Sequence, residues 1–200
     1  MDLAGRIDTY LDHLRVERAL AKNTLESYAR DLNQLAETLG DRVRAEDVSE
    51  GDLAALLAAN ARRGFGARSS ARQLSAIRGF FKFLVRERVI DHLALFAGMR
   101  PGAILALQRR HVAEDCSELF IEQRLYRGDI DDPKTALSKR KVGIPSTTAA
   151  VLREWMELVD RKPEAWLFAS ENPAKPLWRD NVWYRHMKPK LETVGLEWAN

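Results

Sequence analysis

Residues 93–107 read Leu-Ala-Leu-Phe-Ala-Gly-Met-Arg-Pro-Gly-Ala-Ile-Leu-Ala-Leu, and few backbone paths satisfy that order. An apolar run (Leu93, Leu95, Phe96) stops at Gly98, and a second one (Ile104, Leu105, Leu107) starts directly after Pro101-Gly102. Glycine suits the residue that ends a helix, and proline suits the first position of the next one. The pattern therefore predicts two buried helices meeting at a tight turn, with Arg100 on that turn and its backbone held by packing on both sides. A guanidinium fixed on a rigid corner suits two-pronged recognition of an anion, phosphate first. An ordinary exposed arginine between two helices fits the same residues.

Upstream of this corner the chain has helical periodicity. Ile7, Tyr10, Leu11 and Leu14 recur at helical spacing and predict a helix from about residue 3 to 18. Asn23 followed by Glu26 has the form of a capping box, opening a second helix through Leu25, Tyr28, Leu32, Leu35 and Leu39 that Gly40 closes. Ser49 and Asp52 predict the start of a third helix bearing Leu53, Leu56 and Leu57. After a polar, glycine-containing loop, Ser69-Ser70 are placed as caps of a fourth, which is expected to bury Leu74, Ile77, Phe81, Leu84 and Val85. No Pro/Gly/Ser-rich linker intervenes before the corner, so the fourth helix can run on towards Gly98.

Charge is unevenly spread. Net charge is only +3, yet residues 61–90 hold eight basic side chains, Arg62, Arg63, Arg68, Arg72, Arg78, Lys82, Arg86 and Arg88, against the single acid Glu87. The first fifty residues have more acids than bases. A basic face confined to one part of a nearly balanced chain is the footprint of a nucleic-acid binder. Arg72, Ser75, Gly79, Lys82 and Arg86 recur at three- and four-residue steps, and Arg68, Ser69, Ser70 and Arg72 cluster where a helix N-terminus complements a phosphate. A merely solvated helix face is the plainer account of the same stripe.

Beyond the corner, His111 to Ser117 reads as a short strand and turn, and Leu119 to Tyr126 as a strand. A polar loop through Gly128 and Pro133 leads to a second strand over Lys139 to Pro145. Ser146 and Thr147 then cap a helix with Val151, Leu152, Trp155 and Leu158. The fold class expected is mainly α with a small antiparallel β-sheet.

Several words in this chain resemble those of the tyrosine recombinases, the phage-integrase family. Ala97-Gly98-Met99-Arg100-Pro101-Gly102-Ala103-Ile104 resembles the box holding that family's first catalytic arginine, with Ala103 where the family has glutamate. Pro133-Lys134-Thr135, Ser138, Arg140, Val142, Ile144 and Pro145 resemble the box of its catalytic lysine. Tyr10-Leu11, the Asn23-Thr24-Leu25 and Tyr28 words with Asp31-Leu32, and Ser69-Ser70-Ala71-Arg72 with Leu74-Ser75-Ala76-Ile77-Arg78 resemble the SAM-like core-binding domain of Xer-type members.

The resemblance implies a four-helix core-binding domain over 1–90 and an incomplete α+β catalytic domain over 91–200. It assigns catalytic roles to Arg100 and Lys134 and DNA contacts to Asn23, Thr24, Tyr28, Ser69, Ser70, Arg72 and Arg78, to which the basic face adds Arg68 and Lys82. In the family, two arginines and a lysine stabilise a pentavalent phosphorane while a tyrosine attacks the scissile phosphate. The implied partners are double-stranded DNA and, upon it, a second copy or a recombinase partner; no cofactor or metal is implied. Three departures matter. Ala103 removes the glutamate that orients the arginine. Val89-Ile90-Asp91-His92 runs straight into Leu93, as after an internal deletion, where the family has a linker and a helical segment. The His-x-x-Arg box and the nucleophilic tyrosine beyond it have no counterpart in these residues, so strand cleavage is not expected.

Other readings are weaker. Asp129, Asp131 and Asp132 read as a polar loop rather than a metal site, and Tyr184-Arg185-His186 as part of a structural helix. No apolar run approaches the length of a membrane span, which needs about 18 residues, and the first residues lack a signal peptide's apolar core. The one cysteine, Cys116, forms no internal disulfide, which points to a reducing cytoplasm. The competing functional class is a non-enzymatic helical interaction module, or an inert integrase remnant.

Overall fold

Apolar residues at three- and four-residue steps drive the first third of the chain into helices, and the computed structural model describes residues 2–16, 18, 20–40, 43–131, 139–170 and 172–177. It divides into two compact units, Met1–Phe83 and Leu84–Asn200. The first holds α1 (Leu3–Val16), α2 (Lys22–Leu39), a 3-10 turn at Ala45–Asp47, α3 (Glu50–Arg62) and most of α4 (Ala67–Leu95). Its buried side chains include Leu3, Ile7, Tyr10 and Leu14 of α1, Leu32 and Leu35 of α2, Leu56 of α3, and Ile77 and Phe80 of α4. The rings of Phe80 and Phe83 lie 5.7 and 5.3 Å from that of Tyr10.

The helix starts follow the sequence only in part. Ser49 and Asp52 form the reciprocal cap expected: the Ser49 Oγ accepts from the Asp52 amide, and the Asp52 carboxylate accepts from the Ser49 amide and hydroxyl. Those bonds hold the Asp52 carboxyl below its ordinary range. The Asn23–Glu26 box does not form. Here α2 starts at Lys22 behind Ala21, which gives no side-chain cap, and Glu26 reaches back to Lys22 at 3.9 Å. Ser69 and Ser70 do not cap α4 either, because it starts two residues earlier; the Ser70 amide and hydroxyl both donate to the Gly66 carbonyl.

The buried line of α4 also differs from expectation. Ile77 is buried as predicted, but Phe80 and Phe83 are buried where Phe81 and Leu84 are only half-covered. At Gly79, α4 is crossed by α1: a Cβ added there would land on the Tyr10 hydroxyl. Gly79→Ala should therefore cost about 2 kcal/mol, in the range for overpacking. The next atom met is a Tyr10 ring carbon at an ordinary 3.5 Å. In a Tyr10→Phe background the same change should cost much less, and a double-mutant cycle by urea unfolding should read a coupling of at least about 1 kcal/mol. Additive costs would count against this crossing.

In the second unit α4 ends at Leu95, and α5 (Pro101–Leu105), a 3-10 turn at Arg109–His111 and, among the described residues, four short strands follow before α6 (Ser146–Met156). Strand β1 (Glu118–Ile121) pairs antiparallel with β4 (Arg140–Gly143), Leu119 opposite Val142. The expected single strand from Leu119 to Tyr126 is broken at Glu122-Gln123. Its second half, β2 (Arg124–Tyr126), turns back on β3 (Asp129–Asp131) as a separate hairpin, where a polar loop was expected. Arg127 and Gly128 make this possible, with φ of 50° and 92°, the positive pair that a two-residue hairpin turn requires. The core of this unit gathers Leu93, Met99, Ile104, Leu105, Leu119, Leu152 and Phe168. The Trp155 indole donates to the Leu167 carbonyl and stacks on Phe168. Leu158, expected on the helix, lies past its end and is exposed. The overall class is mainly α with two small antiparallel sheets, and no helix among the described residues is long and apolar enough to cross a membrane.

Candidate nucleic-acid interface and arginine corner

Helical geometry places the basic residues of α4 before any partner is considered. At 100° per residue, Arg68, Arg72, Arg78 and Lys82 fall within an arc of about 120°. The exposed strip runs through Arg68, Ala71, Arg72, Ser75, Arg78 and Lys82. It does not follow the predicted line through Gly79 and Arg86. Gly79 lies beneath Tyr10, and Arg86 is only 12% exposed, 3.0 Å from the still more buried Glu87. The one acid of the basic segment thus neutralises the one basic residue of the stripe that lies inside.

Arg72 is exposed but engaged. Its guanidinium grips Asp31 of α2 in a two-pronged bond, Nε to Oδ2 at 2.8 Å and Nη2 to Oδ1 at 3.0 Å, and Asp31 is 3% exposed. Donation to Asp31 raises the Arg72 pKa further, and the Tyr28 phenol adds a smaller push in the same direction. This pair sets the α2 residues of the expected DNA contact set beside those of α4. Thr24 and Tyr28 are half-buried, and Asn23 is exposed in the first turn of α2 with its carbonyl taken by the Ser27 hydroxyl at 2.8 Å. Ser69 and Ser70 are half-buried in the first turn of α4, while Arg68 is exposed. The last residue of α3, Arg62, and the loop residue Arg63 that follows it are exposed to solvent.

Sequence reasoning missed the polar residues that organise this region. Gln34, Asn60 and Gln73 hydrogen-bond to one another, with Asn60 and Gln73 fully buried. A usable signal existed for Gln73, which precedes Ile77 by four residues and so shares its inward face. Asp31 carried one too, next to Leu32 in the apolar register.

In the second unit the corner turns as predicted, but the apolar run before it is not buried as expected: α4 ends at Leu95, three residues before Gly98, and Leu95 and Phe96 are exposed while Leu93 alone of that run enters the core. Gly98 adopts φ +61°, and the Met99 amide donates back to the Leu93 carbonyl at 3.1 Å. Met99 is buried, Arg100 is exposed with extended backbone at the N-cap of α5, and Pro101 is its first residue. Gly102 faces β2: a Cβ there would sit 2.7 Å from the Leu125 carbonyl oxygen. Ala103, in the family's glutamate position, is half-buried against the apolar core. Lys134, Asp132 and residues 184–186 lie outside the described residues. Nearby His111 is buried; its Nδ1 accepts from the Gln108 amide at 3.0 Å, and burial pushes its pKa down. No group of three metal-ligating side chains occurs among the described residues.

The family model "Phage integrase, N-terminal SAM-like domain" matches residues 7–88. The tyrosine recombinase XerD of Agrobacterium fabrum is 38% identical over 119 residues, 58% of this chain and 35% of that protein. XerD of Yersinia pestis is 33% identical over 158 residues, 76% of this chain and 50% of its own length. The chain thus spans half or less of the length of these relatives. A crystal structure of XerA recombinase superposes with a TM-score of 0.41 at 12% identity, over 96% of this chain and 77% of that one, a likeness too loose to carry residue correspondences. Residues 7–88 match the SAM-like domain of phage integrases, and the chain is similar to the XerD tyrosine recombinases over part of their length.

Proposed function

We propose that the chain is a duplex-DNA-binding protein of the tyrosine-recombinase type, whose DNA-binding domain is 1–90 and whose residues 91–200 are an incomplete catalytic domain. One observation carries the reading: a helical unit with the family's SAM-like signature exposes Arg62, Arg63, Arg68, Arg78 and Lys82 on one loop and one helix strip. Phosphate contacts from such a surface position a protein on the duplex with little sequence preference. Asn23, Thr24, Tyr28, Ser69 and Ser70 flank it as further contacts. Arg100, and Lys134 by its sequence match, are the groups that would hold a phosphate in the second unit. A reducing cytoplasm, and a second copy or a recombinase partner bound on the same DNA, belong to this reading.

A salt titration tests it. If about four phosphates are neutralised, log K for an arbitrary duplex falls against log salt with a slope of roughly −3.6. Arg68→Ala, Arg78→Ala and Lys82→Ala together should flatten the slope to about −0.9. Binding indifferent to salt and to these changes would leave the basic face as a solubility or protein-contact surface.

The chemistry has its own expected result. A polypeptide of these 200 residues, incubated with nicked integrase-type substrates, is expected to form no covalent protein–DNA adduct. Its sequence offers Arg100 and Lys134 but no His-x-x-Arg box. Losing one such donor costs about a hundred- to a thousand-fold in systems where it has been measured. A 3′-phosphotyrosine mapped by mass spectrometry to Tyr10, Tyr28, Tyr126 or Tyr184 would overturn the proposal of cleavage incompetence.

A further inference from the structure

Three amides close a ring at the centre of the first unit. Gln34 Nε2 of α2 donates to Asn60 Oδ1 at 2.7 Å, Asn60 Nδ2 of α3 to Gln73 Oε1 at 2.8 Å, and Gln73 Nε2 of α4 to Gln34 Oε1 at 3.0 Å. Each side chain donates once and accepts once around the ring, so turning any one amide breaks two bonds. Leucines in their place would tolerate rotation and sliding of the helices; directional bonds do not.

Asn60 has a second attachment. Its carbonyl accepts from the Phe65 amide at 3.0 Å and the Arg63 amide at 3.1 Å, closing the α3–α4 loop over Gly64, which sits at φ +82°. Arg62 and Arg63 lie just before that turn and Arg68 just after it, all three exposed. One buried residue is therefore bonded through its side chain to two other helices and through its backbone to the basic loop.

We propose that Asn60 is a positioning residue for the α3–α4 basic loop: the amide ring holds α2, α3 and α4 in register, and the Asn60 carbonyl fixes the loop to that register. Arg62, Arg63 and Arg68 then meet phosphates at one set spacing instead of a range of spacings. The partner of those cations rests on the DNA-binding reading above; the positioning itself does not.

The experiment uses the full chain with Asn60→Ala and Asn60→Asp. Asn60→Ala removes one donor and one acceptor from the ring but no charge from the surface. Amide exchange over residues 62–68 at pH 7 should quicken by at least about tenfold, since two ring hydrogen bonds are lost, while α1 exchanges as in the wild type. Affinity for an arbitrary duplex should fall about tenfold with the salt slope kept, since the number of cations is unchanged. Arg62→Ala with Arg63→Ala should instead flatten the slope.

Asn60→Asp supplies an internal rescue. An ionised carboxylate cannot donate to Gln73, whereas a protonated one can. Burial holds the new carboxyl's folded pKa above the roughly 3.9 of an exposed aspartate. Its disturbance is therefore fullest above that folded value and lessens as pH falls through it, so loop exchange, compared with the wild type at equal pH, should approach the wild-type rate as pH falls. This variant also decides the matter should Asn60→Ala fail to fold. Wild-type loop exchange in Asn60→Asp above the folded pKa of its new carboxyl, or faster loop exchange in either variant with undiminished affinity, would overturn the proposal. If the wild type binds no duplex, the DNA reading falls and the exchange comparison alone decides the positioning.

Discussion

Replacing Gly102 by alanine is expected to destabilise the second unit by about 3 kcal/mol, the upper end for a side chain forced into filled space, and to lower its melting temperature by more than about 10 °C. The Cβ would stand 2.7 Å from the Leu125 carbonyl oxygen and 3.7 Å from its carbon. Both are backbone atoms, so no rotamer relieves the contact; α5 and β2 must part. Neither is free to move, because Ile104 and Leu105 on one side and Leu125 on the other are buried in the same core. Arg100 lies two residues before Gly102 and caps α5, so the corner that carries it moves as well. Gly51→Ala is the control, with only the Ser49 Oγ near its new methyl, at 3.5 Å, and should stabilise α3 by about 0.5 kcal/mol. Equal tolerance of the two alanines in thermal unfolding would show that α5 and β2 do not touch as described.

Arg72→Ala carries the second large effect. It leaves Asp31, 3% exposed, without the fork that holds both of its oxygens. Removing one partner of a fully buried pair costs about 3–5 kcal/mol; the Arg72 side chain is 41% exposed, so about 2–3 kcal/mol is expected. Lysine keeps the charge but not the two parallel bonds, and Arg72→Lys should lose about 1 kcal/mol. Pairing Arg72→Met with Asp31→Leu should restore most of the loss, since apolar replacement of both partners is often neutral. Chemical denaturation of the four proteins reads all these numbers, and a double variant no better than Arg72→Ala would contradict the pairing. Because its fork is occupied by Asp31, Arg72 should also contribute less than Arg68 to the salt slope of DNA binding.

Much of the fold was legible because its signals are local. Apolar spacing located α1, α2 and α3, Ser49 with Asp52 marked a helix start, and Gly98 with Pro101 marked the corner that presents Arg100. Each of these is decided within one turn of chain, where a hydrogen bond or a fixed φ acts directly on its neighbours. Tertiary structure decided the rest. Two apolar lines compete along α4, Phe80 with Phe83 and Phe81 with Leu84, and only the arrival of Tyr10 from α1 selects the first. The partner of Arg72 is 41 residues away, and the ring of Gln34, Asn60 and Gln73 spans separations of 26, 13 and 39. No local pattern tells a basic residue that will grip a buried carboxylate from one that stays in solvent. Periodicity says which helices form, whereas the choice of buried face, and of which cations remain for a ligand, is made by side chains that meet only once the helices have packed.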